Sequence, residues 1–600
     1  MPTLPASSAA APERPHALVW AVLAGVAIGL PMLLAFNLPP SSTFLNQAAA
    51  LIGWGAWLVV LAASLLGSGF LPRCTGLAAL QAALLVLALA ALASPFWTSL
   101  PWSLALSALA LIGAAMITVQ VGAAVRHEGL ALPAFRALCI GMVVAAVLSS
   151  VVGVIQVFAP GWADGNWIAR TYAEGRAVGN MRQPNHLSSL LLWAIVAVVW
   201  LGEARVIRRA GVVLLALLFI FVDVLTASRT GALSMGLLVL WALLDRRLSR
   251  PSRWLLGLSV VAYLVFWYGT GVWADQTHHL FGGETRFSTQ GDISSSRWGI
   301  WSNTLALIRL HPWAGVGFGE FNFAWTLTPF PGRPVAFFDH THNLPLQFLV
   351  ELGIPLGALV IALMLWALWV ALRGALAKTA DDAPPGQALL RPAAFAIVLL
   401  ILGHSLLEYP LWYAYFLLPA AFAFGLCLGG PVPASAPVVN EPARPAPGAT
   451  RPLLIAAMVL MVGGMASVID YVRVVVIFAP ADGAPGLAQR IVDGRKSVFF
   501  AHHADYAAAT TSEHPADVMA AFLRAPHYLL DARLLEAWAK ALDEAGDTQH
   551  ARYIAQRLRE FRNDQAAEFF APCAAPPAAG QALPFQCLAP TREFRYEDFR

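Results

Sequence analysis

The sequence predicts an all-α polytopic membrane protein, and two observations support this fold class. Hydrophobic residues make up 58% of the 600 residues and charged residues only 12%, whereas soluble domains carry about 25% charged residues. Apolar stretches of about 20 residues recur along the chain, which is the length needed to cross a hydrocarbon core about 30 Å thick. The net charge of +4 is small and scattered, so nucleic acid is not an expected partner.

Hydropathy predicts about 13 transmembrane helices. A count of about 12 stays open, because only a short turn separates two of the apolar stretches. The predicted spans are 17–36, 44–67, 75–94, 102–124, 135–158, 187–202, 210–226, 230–244, 254–273, 343–372, 392–408, 411–429 and 452–476.

Basic residues indicate how these spans are oriented. Alternate loops carry clusters of arginine, whereas the short loops near 37–43, 95–101 and 409–410 carry no Arg or Lys. The positive-inside rule then places the N-terminus in the cytoplasm. Two longer loops, at about 159–186 and 274–342, fall on the opposite side. We therefore expect the long loops to lie on the outer face of the membrane, which in a Gram-negative cell is the periplasm.

Composition divides the chain into four predicted parts. Residues 1–429 form the transmembrane domain, with amphipathic helices in its large periplasmic loop, and 430–451 form a Pro- and Ala-rich cytoplasmic linker. Residues 452–476 are the last transmembrane helix, and 477–600 form a soluble helical domain. An odd number of spans places this last domain in the periplasm.

The predicted C-terminal domain contains a helical hairpin. The segments 531–545 and 548–563 have the helix, turn and helix of a tetratricopeptide-like unit, and 515–526 is predicted as a further amphipathic helix. Cys573 and Cys587 would lie in an oxidising compartment, where a disulfide and two free thiols are both open.

A polar cluster lies where a long loop meets an apolar helix. Asp339, His340, His342 and Asn343 occur within five positions, and an ionisable group at a membrane boundary is costly unless it is functional or paired. His342 can accept a proton near neutral pH, with Asp339 or Glu408 orienting it or sharing the task. The alternative for His342 is a helix-start histidine bonded to nearby backbone.

Three arginines are predicted on the same side of the membrane. Arg229 lies in a minimal turn between two spans, Arg297 in the first turn of an amphipathic helix, and Arg182 at the end of a loop. Guanidinium groups bind phosphate oxygens in pairs, so these residues are suited to a diphosphate. A snorkelling side chain is the alternative for Arg229.

Further polar residues accompany the arginines. Gln183 is a candidate for ligand contact, while Asn185 is either the N-cap of a helix that starts near Leu187 or a ligand contact. Tyr409 and Tyr413 lie beside Glu408 at the outer end of two spans. The chain has no Asp-X-Asp motif, so we expect no metal site and expect arginines to stabilise a leaving diphosphate.

Six motifs occur in one order along the chain, and together they resemble the bacterial O-antigen ligase and polymerase superfamily. The resemblance is closer to its protein O-oligosaccharyltransferase branch, the PglL type, and covers about residues 20–600. The motifs are Gly-Asn-Met-Arg-Gln-Pro-Asn-His (179–186), Ser-Arg-Thr-Gly (228–231), Arg-Trp-Gly-Ile-Trp (297–301), His-Pro-Trp-Ala-Gly-Val-Gly-Phe-Gly (311–319), His-Thr-His-Asn-Leu-Pro-Leu-Gln (340–347) and His-Ser-Leu-Leu-Glu-Tyr-Pro-Leu-Trp-Tyr (404–413).

The resemblance implies a reaction. A preassembled glycan is transferred from undecaprenyl diphosphate to Ser or Thr hydroxyls of periplasmic or pilin-type proteins, without metal, nucleotide or other cofactor. Residues 1–429 would then be the catalytic domain, and our working hypothesis for residues 477–600 is acceptor docking. His342 matches the essential histidine of the family, and Arg229 and Arg297 match its arginines. The looser matches and the candidate substrate contacts are Arg182, Gln183, Asn185, Asp339, Asn343, Glu408, Tyr409 and Tyr413.

Three alternative functions remain open. An O-antigen ligase would transfer the glycan to lipid A core, and an O-antigen polymerase would join repeat units to one another. A membrane transporter or flippase is more remote, because transporters place charged groups near the bilayer midplane and are built from internal repeats.

Overall fold

The computed structural model of the chain describes residues 14–66, 74–172, 175–283, 297–378, 383–430, 450–574 and 582–600. Within these ranges the secondary structure is helical and contains no strand, so the predicted all-α fold class is confirmed. The predicted linker at 430–451 lies outside the described residues except at its two ends.

The α-helices are numbered in chain order. They are α1 Arg14–Leu33, α2 Phe44–Ser64, α3 Thr75–Ala93, α4 Trp102–His127, α5 Ala131–Phe158, α6 Pro184–Glu203, α7 Arg209–Thr226, α8 Arg229–Leu244, α9 Arg250–Gly257, α10 Ser259–Thr277, α11 Arg297–Leu310, α12 Phe321–Leu327, α13 Leu344–Leu376, α14 Gln387–Ser405, α15 Ala414–Leu428, α16 Arg451–Phe478, α17 Leu487–Gly494, α18 Ala501–Thr511, α19 Met519–Phe522, α20 Ala532–Glu544, α21 Thr548–Glu560 and α22 Ala567–Phe570. Short 3₁₀ turns occur at Ser94–Phe96, Pro160–Trp162, Pro410–Trp412, Pro515–Val518, Ala525–His527, Asp564–Ala566, Ala571–Cys573, Phe585–Cys587 and Tyr596–Phe599.

Every predicted span coincides with an apolar helix. Among the described residues, nine helices are long and apolar enough to cross a membrane, and the bent pair α9 and α10 gives a tenth. Three more apolar helices are shorter, at Leu18–Leu33, Arg229–Leu244 and Ala414–Leu428. The chain is therefore a multi-pass membrane protein.

Hydrogen bonds between distant loops show which loops meet at the same end of the helix bundle. Arg182 Nη1 donates to the carbonyl of Ser42 (3.0 Å), and Ser94 Oγ donates to the carbonyl of Phe318 (2.8 Å). We call this end the loop side. At the opposite end, Thr450 Oγ1 donates to the carbonyl of Leu65 (3.0 Å).

A glycine-rich turn on the loop side packs into a break in helix α13. Gly353 has φ 74° within that helix, and Ile354 N there donates to Pro312 O (2.7 Å). Gly315 has φ 67°, and a Cβ on it would lie 2.5 Å from the backbone of Glu351. Only glycine fits such a conformation and approach, so the motif at 311–319 serves backbone geometry.

The helices after residue 478, which we call the C-terminal unit (479–600), share one hydrophobic core with the loop side. Phe321 and Trp325 of helix α12 are buried in the same cluster as Leu535, Trp538 and Phe561. Helices α20 and α21 form the predicted hairpin, with Asp531 capping the first helix.

The structure also decides two predictions for the C-terminal unit, one on the helix at 515–526 and one on the two cysteines. The predicted helix at 515–526 is wrong as a single helix, because the chain there forms two 3₁₀ turns and the four-residue helix α19. Pro526 has no N–H donor and so cannot continue the hydrogen bonds of α19. Cys573 and Cys587 form a disulfide.

Candidate functional site

The carboxylate of Glu408 lies at the centre of a cluster of polar side chains on the loop side. Its Oε1 accepts hydrogen bonds from Arg297 Nη2 (2.6 Å) and Asn185 Nδ2 (3.0 Å), and its Oε2 lies 3.1 Å from His342 Nδ1. These four residues come from four separate parts of the chain. The Arg297, His342 and Glu408 side chains are 12%, 16% and 11% exposed, so water screens their charges only weakly.

Asn185 and Ser228 extend this cluster to the turn before helix α8. Ser228 Oγ donates to Asn185 Oδ1 (2.7 Å) and accepts from Gly231 N (3.0 Å), which makes Ser228 the N-cap of α8. Asn185 therefore uses its amide group for side-chain contacts. Of the two alternatives predicted for Asn185, the N-cap is wrong, and the ligand contact stays a prediction.

Gln183 caps helix α6 in place of Asn185. Its side-chain oxygen accepts from the backbone N–H of Asn185 (2.8 Å), and Pro184 is the first helical residue. Proline favours the first helical position, where no N–H donor is needed, so the preceding residue becomes the cap. The Gln183 side chain thus has a structural contact within the chain.

His342 adopts a backbone conformation that is uncommon for a residue with a side chain. Its φ is 56°, in the left-handed region that non-glycine residues rarely occupy. Asn343 follows as the N-cap of helix α13, accepting from Leu346 N (3.1 Å), and donates through Nδ2 to Leu406 O (3.0 Å). Strained backbone of this kind concentrates at functional sites.

Of the two carboxylates proposed to orient His342, Glu408 makes the contact. Asp339 instead lies 3.1 Å from Nδ1 of His340 and is half exposed. The His340 ring stacks on Tyr409 at 4.5 Å between centroids, and Tyr409 meets the His342 ring edge-on at 5.0 Å. Tyr409 therefore packs between the two histidines.

Tyr413 lies farther from His342. Its ring centroid is 6.2 Å from that of Tyr409 and 4.6 Å from that of His186. Burial and the nearby carboxylate of Asp339 raise the pKa of Tyr413 to about 12. The phenol is therefore neutral at physiological pH.

Glu408 stays ionised although it is largely buried. Burial by itself would raise its pKa, but the hydrogen bond and charge of His342, together with the Arg297 guanidinium, bring the pKa of Glu408 to about 2. A carboxylate with such partners favours the N–H tautomer at His342 Nδ1 and leaves Nε2 as the basic nitrogen.

The lowered pKa predicts how stability depends on pH. The stabilisation by Glu408 is present above the ordinary pKa of 4.5 and is lost as the pH falls towards about 2. We expect the Tm of the parent chain in detergent to exceed that of Glu408→Gln at pH 6, with the difference shrinking between pH 5 and pH 2.5. A difference that stays constant would contradict this. The exposed Glu128 gives the control, Glu128→Gln, which should match the parent throughout.

The other two predicted arginines, Arg229 and Arg182, have surroundings that differ from those of Arg297. Arg229 is the first residue of helix α8, directly after Ser228, and is thus adjacent to the cluster. Arg182 has φ 57° and donates to the carbonyls of Ser42 (3.0 Å) and Ala35. Arg182 therefore tethers the loop to the turn after α1.

A cavity of about 440 Å³ opens beside the cluster. Its walls are mainly apolar side chains of helices α3, α4, α13, α14 and α15, and Asp339, His340 and Trp412 line a polar part of it. His527 and Tyr528 of the C-terminal unit also line it. The cavity has the size and composition of a small-molecule or lipid-chain site.

The cluster can perform general base catalysis. A carboxylate on Nδ1 orients an imidazole whose Nε2 can take a proton from a hydroxyl. Arg297 uses Nε for Leu407 O (2.8 Å) and Nη2 for Glu408, contacts that fix the plane of its guanidinium. Sequence reasoning missed Ser228 as a member, although a Ser before a predicted helix start is itself an N-cap signal.

Three stretches of the chain match models of known families. Residues 212–362 match "O-Antigen ligase", residues 392–571 match "Virulence factor membrane-bound polymerase, C-terminal", and residues 177–201 match "Protein glycosylation ligase". Asn185 lies in the third stretch, Arg229, Arg297 and His342 in the first, and Glu408 in the second. The cluster therefore draws on all three matched segments.

Two curated relatives come from Acinetobacter baylyi. A general O-oligosaccharyltransferase is 28% identical over 261 residues, covering 42% of this chain and 43% of the relative. A ComP-specific O-oligosaccharyltransferase is 27% identical over 254 residues, covering 42% of this chain and 44% of the relative. The matches thus span less than half the length of either relative.

Proposed function

We propose that the chain is an oligosaccharyltransferase, because residues 212–362 match the O-antigen ligase family and residues 177–201 match the protein glycosylation ligase family. It moves a preassembled glycan en bloc from undecaprenyl diphosphate to Ser or Thr hydroxyls of a periplasmic or pilin-type protein. The observation that carries this proposal is the contact of Glu408 with both His342 and Arg297 (3.1 and 2.6 Å). It joins a candidate base to a candidate phosphate-binding group.

In the proposed reaction His342 Nε2 takes the proton of the acceptor hydroxyl. The hydroxyl oxygen forms a bond to the anomeric carbon, and the bond from that carbon to the diphosphate oxygen breaks. Undecaprenyl diphosphate leaves with the electron pair. Glu408 holds Nδ1–H and stabilises the imidazolium that forms, and the proton is then released to the leaving diphosphate or to water.

Two arginines bind the diphosphate in this proposal. Arg297 and Arg229 supply fixed positive charge where negative charge develops on the leaving oxygen, in a site with little water. Glu408 offsets one of these charges and keeps the Arg297 guanidinium in one orientation. Asn185, Asn343 and Tyr409 surround the reacting groups and limit the positions that substrate can take.

The cavity beside His340 supports a lipid-linked donor. Its apolar walls belong to membrane-spanning helices, so a polyprenyl chain can enter from the bilayer while its diphosphate stays near the polar residues. Each buried CH₂ group contributes about 0.8 kcal/mol. We place the loop side in the periplasm of the bacterial inner membrane, because the positive-inside rule puts the arginine-rich loops in the cytoplasm.

Arg297→Lys tests the requirement for a guanidinium. A lysine ammonium cannot bond the Leu407 carbonyl and the Glu408 carboxylate in one plane, so we expect Arg297→Lys to lose nearly as much activity as Arg297→Ala, about 100-fold in kcat. Arg309→Lys, at an exposed position of the same helix α11, is the control and should keep parental activity. Full activity of Arg297→Lys would remove the proposed role.

Acceptor choice tests the function itself. Purified undecaprenyl-diphosphate glycan is offered, with EDTA present, to a pilin-type protein and to lipid A core side by side. Glycosylated Ser or Thr on the protein is the expected result. Transfer only to lipid A core would instead identify an O-antigen ligase. Longer glycans on the lipid would identify a polymerase, the activity named in the description of the family that matches residues 392–571.

A further inference from the structure

The C-terminal unit contacts the segment that carries His342 at several points. The Phe337 ring stacks on Phe561 at 3.9 Å, and Arg333 Nε lies 3.1 Å from the carboxylate of Glu560. Arg562 Nη2 donates to the carbonyl of Arg333 (3.2 Å). The stretch just before the histidines therefore lies against the unit at Arg333 and again at Phe337.

One buried side chain connects the unit directly to this segment. Asn322 Oδ1 accepts from the backbone N–H of Leu530 (2.9 Å), and its Nδ2 donates to the carbonyl of Phe338 (2.7 Å). Asn322 is 5% exposed. Since a backbone N–H requires an acceptor and a carbonyl requires a donor, the two ends of the Asn322 amide group satisfy one partner each.

Phe338, which accepts the hydrogen bond from Asn322, also contacts His342. The Phe338 ring meets the His342 ring edge-on at 5.3 Å, so a shift of Phe338 changes the packing of the imidazole. From the other side, Trp301 Nε1 donates to Thr341 O (3.0 Å), and Thr341 N donates to Gln347 Oε1 (2.8 Å). The conformation at His342 is thus fixed by contacts on both sides.

A buried pair anchors the same part of the unit. His527 Nδ1 lies 2.8 Å from the carboxylate of Glu320, and both side chains are almost fully buried. The His527 ring also stacks on Phe323 at 4.5 Å. Glu320 and Phe323 flank Asn322 in sequence, so three neighbouring residues on the loop side bind the segment 527–530.

We propose that the C-terminal unit is a working part of the active site, and that Asn322 is a positioning residue which holds His342 through the Phe338 carbonyl. This inference rests on the proposed function and adds a role for residues outside the family motifs. It differs from acceptor docking, because the unit acts on the catalytic segment whether or not an acceptor is bound.

Asn322→Asp tests the connection with little change in volume. When ionised, its carboxylate can still accept from Leu530 N but cannot donate to Phe338 O, so at a pH that keeps it ionised the end that faces the active site is lost. Asn322→Ala removes both hydrogen bonds, the one from Leu530 N and the one to Phe338 O. Tyr553→Phe is the matched control, because Tyr553 donates a buried hydrogen bond to Leu327 O (2.6 Å), a second link between the unit and helix α12 that does not reach Phe338.

The first measurement is hydrogen exchange in the purified full-length protein. The amides of Thr341 and Asn343 are hydrogen-bonded, and we expect them to exchange at least about 10-fold faster in both Asn322 variants but within about 2-fold of the parent in Tyr553→Phe. Unchanged exchange in Asn322→Asp, or equal increases in Tyr553→Phe, would overturn the proposal.

The second measurement is the kinetics of transfer. We expect kcat to fall about 10- to 100-fold in the Asn322 variants, because small displacements of a catalytic group have effects of this size, while KM for donor and acceptor changes less than about 3-fold. Faster exchange with an unchanged kcat would overturn the catalytic role. Faster exchange in the variants with no transfer even by the parent would contradict the proposed function and leave the structural connection standing.

Discussion

His342→Asn is expected to lower kcat for glycan transfer about 100- to 10,000-fold, the contribution typical of a general base. Asparagine tolerates the left-handed conformation that His342 adopts (φ 56°), so this change removes the basic nitrogen with little effect on the backbone. Michaelis constants should change little, because binding of the lipid diphosphate is assigned to the arginines. The measurement is steady-state transfer by purified variants.

His278 gives a close control for this experiment. It is also a histidine with a left-handed backbone (φ 55°), but it is exposed at the end of helix α10. His278→Asn should keep parental kcat and Tm. Near-normal transfer by His342→Asn would show that the acceptor hydroxyl is activated in another way, and equal losses in the two variants would show a general effect of the substitution.

Glu408→Gln is expected to have the next largest effect, about 100- to 1,000-fold in kcat. Both oxygens of Glu408 face donors, namely Arg297 and Asn185 on one side and His342 on the other. A glutamine must turn its NH₂ group towards one of these donors, so one contact becomes repulsive and His342 loses its fixed tautomer. Removing one member of a buried ion pair also costs about 3 to 5 kcal/mol of stability.

Glu203→Gln is the control for this variant. Glu203 is another carboxylate with two hydrogen bonds, accepting from Ser249 N (3.0 Å) and Ser249 Oγ (2.6 Å) at the other end of the bundle. The transfer activity of Glu203→Gln should equal that of the parent. If Glu408→Gln lowers Tm but leaves kcat unchanged, Glu408 is a structural ion-pair partner and does not orient the base.

Much of the fold was predictable because each span carries its own signal. A run of apolar residues must lie in lipid or in the core wherever it occurs, so hydropathy located the helices without knowledge of their neighbours. The break at Gly353 was not predicted, although Gly353 and Pro355 are both local helix-breaking residues. What the local sequence does not indicate is that the turn at 311–319 fills the break, where Gly317 N donates to the Glu351 carbonyl (3.0 Å).

The sequence indicated which residues belong to the candidate site, but not which of their side chains contact one another. His342, Arg297 and Glu408 stood out because ionisable groups are costly at a membrane boundary. Which carboxylate contacts His342 depends on how helices far apart in sequence pack, and Asp339, the nearer one in sequence, lies beside His340 instead. The cap of helix α6 was predictable at Gln183, since proline at the first helical position already indicates that the preceding residue is the cap.

The contacts of the C-terminal unit had no sequence signal at all. Asn322 lies more than 200 positions before Leu530, and a single asparagine in an aromatic segment does not indicate a partner. A hairpin such as 532–560 is recognisable from its own periodicity, but the surface against which it packs is not.

The most direct test of the central claim is to follow both products of the proposed reaction in one sample. Purified protein, undecaprenyl-diphosphate glycan and acceptor protein are mixed with EDTA, and mass spectrometry measures glycan gained by the acceptor and free undecaprenyl diphosphate released. We predict equal amounts of the two, and neither with His342→Asn. Glycan growth on the lipid with no change in acceptor mass, or transfer that persists in His342→Asn, would contradict the account.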